Sequence, residues 1–197
     1  MRFRLFSLLL ACFLCGCGET PEPQPEPTEK TSSPESGRSK GSALILTLEG
    51  KVTVNNSSTG KEHAAQLEQF LSPGDSIVTG PNSGVILLLT NGTTLTIGPD
   101  TDFELESFSQ ANFEGGKAKV GSLEEEASAS SVLIDLKIGD LVVDVKKLKK
   151  KSNFEITTPL GVAGIRGTSF RLFSSAESTN LSVLTGQVDF VSQSKES

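Results

Sequence analysis

Few residues of this chain have the type and spacing that chemistry requires. The stretch Thr157 to Phe170, TTPLGVAGIRGTSF, sets one arginine, Arg166, among Gly161, Gly164 and Gly167 in an otherwise apolar run. A phosphate-cradling loop needs a lysine and a Ser or Thr directly after its last glycine, and here Thr168 follows Gly167 with no lysine. A dinucleotide fingerprint needs Gly-x-Gly-x-x-Gly opening a helix, whereas these glycines are evenly spaced between β-rich segments. Both readings fail. His63 is the sole histidine and lies in polar KEHAAQLEQ, with no setting that would pack and orient it as a triad base. With no second histidine and no free cysteine, a zinc site is not expected either. Trp and Tyr are absent, so sugar-stacking platforms would fall to phenylalanine. The chain reads as a non-enzyme without a cofactor.

Two charged clusters remain. Asp100, Asp102, Glu104 and Glu106 alternate through DTDFELE, along one strand face. Calcium suits such oxygen ligands, but the EF-hand loop and glycine are missing, and the cluster reads as a solvated face. Lys146, Lys147, Lys149, Lys150 and Lys151 form a basic run in an acidic protein. The run is a candidate contact for anionic headgroups, a glycan phosphate or an acidic partner. The competing reading is a charged loop at a sheet edge, where lysines discourage pairing.

Strands must position these residues, because the apolar period is two: Leu44, Leu46 and Leu48, then Val52 and Val54. VILLLT and TTLTIG flank Asn91-Gly92, which predicts a hairpin with a two-residue turn. Residues 105 to 131 lose the alternation and read as a loop or a weakly paired excursion, with a short helix near Leu123 to Ala127. Strands resume at VLIDLKIGDLVVDVKK and continue through Leu181 to Ser192. LEGKVTV echoes LTGQVDF, and GDSIV echoes GDLVV. The expected fold is a single all-β domain, a short-strand sandwich or a solenoid-like stack. Along one unbroken strand Arg166, Thr168, Phe170 and Leu172 share a face, so Arg166 points inward with Phe170 unless Gly167 makes a bulge. A buried guanidinium needs a carboxylate, and Asp75 and Asp140, each after a turn glycine, are its candidate partners. A ligand carboxylate or phosphate contact is the second reading of Arg166.

The N-terminus belongs to export. Arg2 and Arg4 precede the apolar stretch LFSLLLACFL, which has signal-peptide length and is too short to span a bilayer. Leu14-Cys15-Gly16-Cys17 resembles the lipobox of bacterial lipoproteins. The resemblance implies removal of residues 1–16 and attachment of diacylglycerol and acyl chains such as palmitate to Cys17, a firm membrane anchor. Gly18 leans towards the outer membrane. Cys12 and Cys15 leave with the leader, so no disulfide is expected. Residues 17–41 are rich in Pro, Glu and Ser and read as a disordered tether, and 42–197 as the folded domain. The whole chain carries a net charge of −6, and loss of Arg2 and Arg4 makes it more acidic, which argues against nucleic-acid binding.

The order GKVTV, LSPGDSIVTG, an apolar strand, NGT, TLTIGPDT, GDLVVDV, FEITTPLGVAGIRGTSFRL and LTGQVDFV resembles the FecR domain over roughly residues 46 to 191. Its most specific block comprises Thr158, Pro159, Gly164, Arg166, Gly167, Thr168 and Phe170. The resemblance implies an all-β periplasmic or envelope domain used for sensing, binding or assembly. The anti-sigma segment, membrane helix and receptor-binding domain of FecR-type regulators are not read in this sequence, so direct sigma-factor control is not carried over. The expectation is a lipid-anchored binding or signalling module that contacts another envelope protein. The alternative is a structural module that holds cell wall or envelope polysaccharide.

Overall fold

Alternating apolar residues dictate extended chain, and extended chain must find partners for its backbone N–H and C=O groups. In the computed structural model, which describes residues 37–112 and 124–193, thirteen strands meet that need within one sheet. In chain order they are β1 Arg38–Lys40, β2 Ala43–Glu49, β3 Val52–Asn56, β4 Lys61–Ala64, β5 Phe70–Leu71, β6 Ser76–Thr79 and β7 Gly84–Leu89. β8 Thr94–Ile97, β9 Asp102–Ala111, β10 Ser130–Asp144, β11 Asn153–Thr158, β12 Gly161–Ser174 and β13 Thr179–Ser192 follow. The main path runs β4-β3-β6-β9-β10-β8-β7-β2-β5; β1 adds to β9, β11 and β12 add to β10, and β13 adds to β12. Every pairing is antiparallel except β10 with β11. The domain is all-β, as expected. Its form is one large curled sheet whose inner face encloses a single core.

β10 is the spine. Its first half, Ser131 to Asp135, lies between β9 and β11, and its second half, Leu141 to Asp144, between β8 and β12. To keep its apolar side on the core, the strand changes parity midway. Val132, Ile134 and Leu136 are buried, then Leu141 and Val143. The switch coincides with a bulge between Leu136 and Ile138 that leaves Lys137 as the extra residue. A bulge bends and twists its strand, which curls the sheet around its own apolar face. Phe103, Phe154 and Phe170 are the largest of the domain's fully buried side chains.

Four expectations are revised. The Asn91-Gly92 hairpin forms, but only Gly92 takes a positive φ (+93°), and the Leu89 N–H donates to the Thr93 carbonyl around Thr90, Asn91 and Gly92. The Asn91 side chain is buried and bound to the Thr93 N–H and the Ser130 hydroxyl, which draws it into the fold. Residues 105–111 are not a loop: β9 runs through them, holding β10 on one side and β1 on the other. Residues 124–127 form a bend and a bridge from Glu125 to Lys147 rather than a helix; Leu123 lies outside the described residues. β1 also draws Arg38–Lys40 of the expected tether into the sheet. Among the described residues no helix is long and apolar enough to cross a membrane.

The sequence echoes have a geometric basis. Gly50 and Gly186 both adopt left-handed φ (+70° and +86°), as do Gly74 and Gly139 (+93° and +116°). The expected common turn is not what they share, however: Gly50 and Gly74 sit between strands, whereas Gly139 and Gly186 lie inside β10 and β13.

Phe170→Ala should lower the unfolding free energy of the full chain by about 3–5 kcal/mol, the cost of an emptied core site of that size, read from urea denaturation.

Candidate functional site

The Arg-Gly-Thr block of β12 is a bulge. Arg166 pairs with Gln187 and Ser169 with Thr185, so Gly167 and Thr168 together face Gly186 of β13. Gly167 supplies the required left-handed turn (φ +59°), and a Cβ there would come within 3.1 Å of the Lys147 Cα. The buried Thr168 hydroxyl lies 2.8 Å from the Gln187 carbonyl and 3.2 Å from that of Arg166, holding both strands at the kink. A Cβ on Gly186 would meet the Gly167 carbonyl at 2.8 Å. One residue further along β13, Leu184 is extra in turn, and Phe170 pairs with Val183 in the register that held before Gly167. The two bulges cancel.

This geometry corrects the inward reading of Arg166. The extra residue separates Ile165, which is buried, from Phe170 and Leu172, which are also buried, and it turns Arg166 to solvent. Among the described residues no carboxylate pairs with its guanidinium. Its two expected partners are committed elsewhere. Asp75 is buried and accepts hydrogen bonds from the Ser57 N–H (2.9 Å), the Ser57 hydroxyl (3.2 Å) and the Ser72 N–H (2.8 Å), bracing two turns. Asp140 takes a forked pair from Arg171, Nε to Oδ1 at 2.8 Å and Nη2 to Oδ2 at 2.5 Å. That hydrogen bond, then the charge of Asp140, raises the pKa of Arg171 further.

The other motif residues shape the β11–β12 hairpin. The buried Thr158 hydroxyl donates to the Gly161 carbonyl at 2.9 Å across the turn that Pro159 and Leu160 make. At Gly164 an added Cβ would make only ordinary contact, 3.8 Å from the Asp189 carbonyl. At Gly161, by contrast, it would lie 2.7 Å from the Phe190 ring. Gly161 is therefore the glycine that close packing demands. Cys17 lies outside the described residues.

Three of the five lysines are answered locally. Lys146 meets Asp144 at 3.0 Å, and Lys147 and Lys149 meet Glu125 at 3.9 and 3.6 Å. Lys150 and Lys151 stand exposed at the turn. The Ser169 hydroxyl, then Lys146, holds the Asp144 carboxyl below its ordinary value of 3.8. A lowered carboxyl lends stability above its unfolded value and loses it as pH falls through the folded one. Beneath the loop sits Glu126, buried. It accepts from the Lys149 N–H at 2.6 Å and from the hydroxyls of Ser130 (2.7 Å) and Ser152. Sequence reasoning missed it, because three glutamates in a row carry no sign of which one is buried.

On the outer face of β10, Ile138 and Val142 flank Asp140, and Phe173 of β12 stands directly opposite Asp140. These three apolar side chains are 48%, 42% and 40% exposed. They surround the Arg171–Asp140 pair. Arg171 was legible by parity, since it alternates with the core residues Phe170 and Leu172. On β9 and β10, Lys137 lies 3.2 Å from Glu104 and 3.9 Å from Asp102, tying two acids of the alternating cluster together. Burial raises the pKa of the neighbouring Asp135, opposed by Lys137. His63 is exposed on β4, 2.9 Å from the Gln69 amide nitrogen, at an open groove of about 610 Å³ shared with Leu48, Lys51 and Val52. No triad forms around it among the described residues.

A family model described as "FecR protein" matches residues 75–189. A search of curated proteins finds no match. A solved structure titled "Cell surface anchoring domain" is 31% identical over 32% of this chain and 80% of its own, with a TM-score of 0.30, too low to support an argument.

Arg166→Ala should change the unfolding free energy by no more than about 0.5 kcal/mol, as for an ordinary surface residue. Glu126→Ala, which leaves three donors unanswered beneath the lysine loop, should cost at least about 2 kcal/mol. Parallel urea titrations of the two variants check both.

Proposed function

The chain belongs to the FecR family, whose domains are regulatory and extracytoplasmic, and from that premise we propose that it is a lipid-anchored, non-catalytic signalling module that binds another envelope protein through the outer face of β10 and β12. The observation that carries this reading is the patch of Ile138, Val142 and Phe173 around the Arg171–Asp140 pair. Binding hot spots combine apolar anchors with arginine at the centre of a patch. Here the guanidinium already has its carboxylate. A partner covering it would therefore bury a satisfied pair rather than an isolated charge.

The anchor follows from Leu14-Cys15-Gly16-Cys17, with acylation at Cys17, and the Pro-rich segment after it supplies reach. At about 3.1 Å per residue in extended form, such a tether holds a domain tens of Å from the bilayer. The −6 net charge and the pairing of Lys146, Lys147 and Lys149 leave little for a polyanion to grip. Lys150 and Lys151 keep the alternative, a structural module on cell wall or polysaccharide, open to test.

Two experiments bear on this. Cys17→Ser should release the protein from the membrane fraction; retention there would remove the anchor from the proposal. A photo-crosslinking residue placed at Phe173 in cells should repeatedly capture one discrete envelope protein. Capture only of wall or polysaccharide fragments, from a probe at Lys150 or Lys151, would turn the reading to the structural alternative.

A further inference from the structure

The sheet's edges are built differently. β4 is four residues long and carries Lys61, Glu62 and His63; β1 is three residues with Arg38 and Lys40; β5 has two residues. Short, charged edges resist pairing with another chain. β13 has none of these protections. It is fourteen residues long, carries a single charge at Asp189, and among the described residues pairs only with β12. It also exposes Val183 (44%), Leu184 (70%) and Val191 (68%). A bulge can blunt an edge by turning it away, but here the bulge at Leu184 only cancels the one at Gly167, and the strand continues in register to both ends.

The geometry points to a second copy of this chain as the occupant, its β13 laid antiparallel along this one about a two-fold axis. Face parity carries the argument. Before Leu184, the residues paired with core positions of β12 are Leu181 and Val183; after it they are Val188 and Phe190. Inner residues are thus odd-numbered in one half of the strand and even-numbered in the other. Two antiparallel copies that overlap across both halves keep inner side chains together only in registers that pair odd with even positions. One such register uses the full strand. Thr179 then faces Ser192 of the partner subunit, Leu181 faces Phe190 of the partner subunit, and Val183 faces Val188 of the partner subunit. The one mismatch falls on Thr185 and Gly186 at the axis, where both side chains are small. Asp189 meets Ser182 of the partner subunit, so no like charges oppose. Leu181 and Val188 already pack against the core. The apposition therefore extends that core across the axis. A two-fold contact of this kind is self-complementary and closes at the dimer. The site is separate from the outer patch on β10 and β12, so the two proposals can fail independently.

Directly opposed residues of an antiparallel pair have Cα atoms about 4.5–5.5 Å apart, within disulfide reach. The full chain carrying Val183→Cys with Val188→Cys, in membranes under mild oxidation, should form a covalent dimer well above the level given by the native cysteines. The two positions cannot bond within one strand, since they are about 16 Å apart along it. The shifted combination Val183→Cys with Phe190→Cys should give much less. Equal yields from both, no dimer, or a disulfide to a different protein overturns the proposal. Val183→Lys with Val188→Lys should convert the detergent-solubilised chain from dimer to monomer by sedimentation, with the β-sheet circular dichroism of the folded domain retained. A dimer that survives both lysines, or a wild-type chain that is monomeric throughout, overturns it as well.

Discussion

The structure depends on a conflict between two demands on extended chain. Each strand must keep its apolar side chains on one face, and the sheet must curl far enough for that face to enclose itself. A regular strand cannot meet both, because curling requires local bends and every inserted residue reverses parity. The chain resolves the conflict by placing its apolar residues in two phases within one strand. On β10 the buried positions are even before Lys137 and odd after it; on β12 they are odd before Gly167 and even after it. Core, curvature and the aim of every outward side chain follow from where those single residues sit.

Much of the fold was legible for that reason. Alternation and turn signals marked β2, β3, β6 to β8 and β10 to β13 but not β1, β4 or β5, and the Asn-Gly pair marked a hairpin that does form. Two of the failures share one cause. Counting parity straight through Gly167 sends Arg166 inward, and only the left-handed glycine facing a second glycine on β13 shows that the count restarts. β9 was obscured similarly: Glu106 and Ser107, both exposed, interrupt its alternation at a shift in its pairing with β10. Glu126 was invisible for another reason. Its burial is set by Ser130, Lys149 and Ser152, residues that local sequence does not bring to it.

The most recognisable block of the sequence is thus architectural. Arg-Gly-Thr builds a joint, Thr158 and Gly161 close the hairpin that leads to it, and Phe170 seats it in the core. The outward chemistry lies one position away, in Arg171 and its carboxylate. The lysine loop rests on the same joint: the Val145 N–H donates to the Thr168 carbonyl at 3.0 Å, and the loop backbone passes where a Gly167 side chain would be. A regulatory domain built this way keeps a fixed interior and leaves variation to the surfaces its bulges expose.

The cancelling bulges of β12 and β13 also govern how the gene can change length. Deleting the codon for Gly167 alone would leave Thr168 facing Gly186 and Ser169 facing Thr185, but the bulge at Leu184 would then bend β13 with no counterpart on β12. Deleting the codons for Gly167 and Leu184 together restores a straight ladder with every apolar residue still facing inward. Insertions and deletions in this hairpin are tolerable in matched pairs, one on each strand. Its length can drift only in steps that both strands take together.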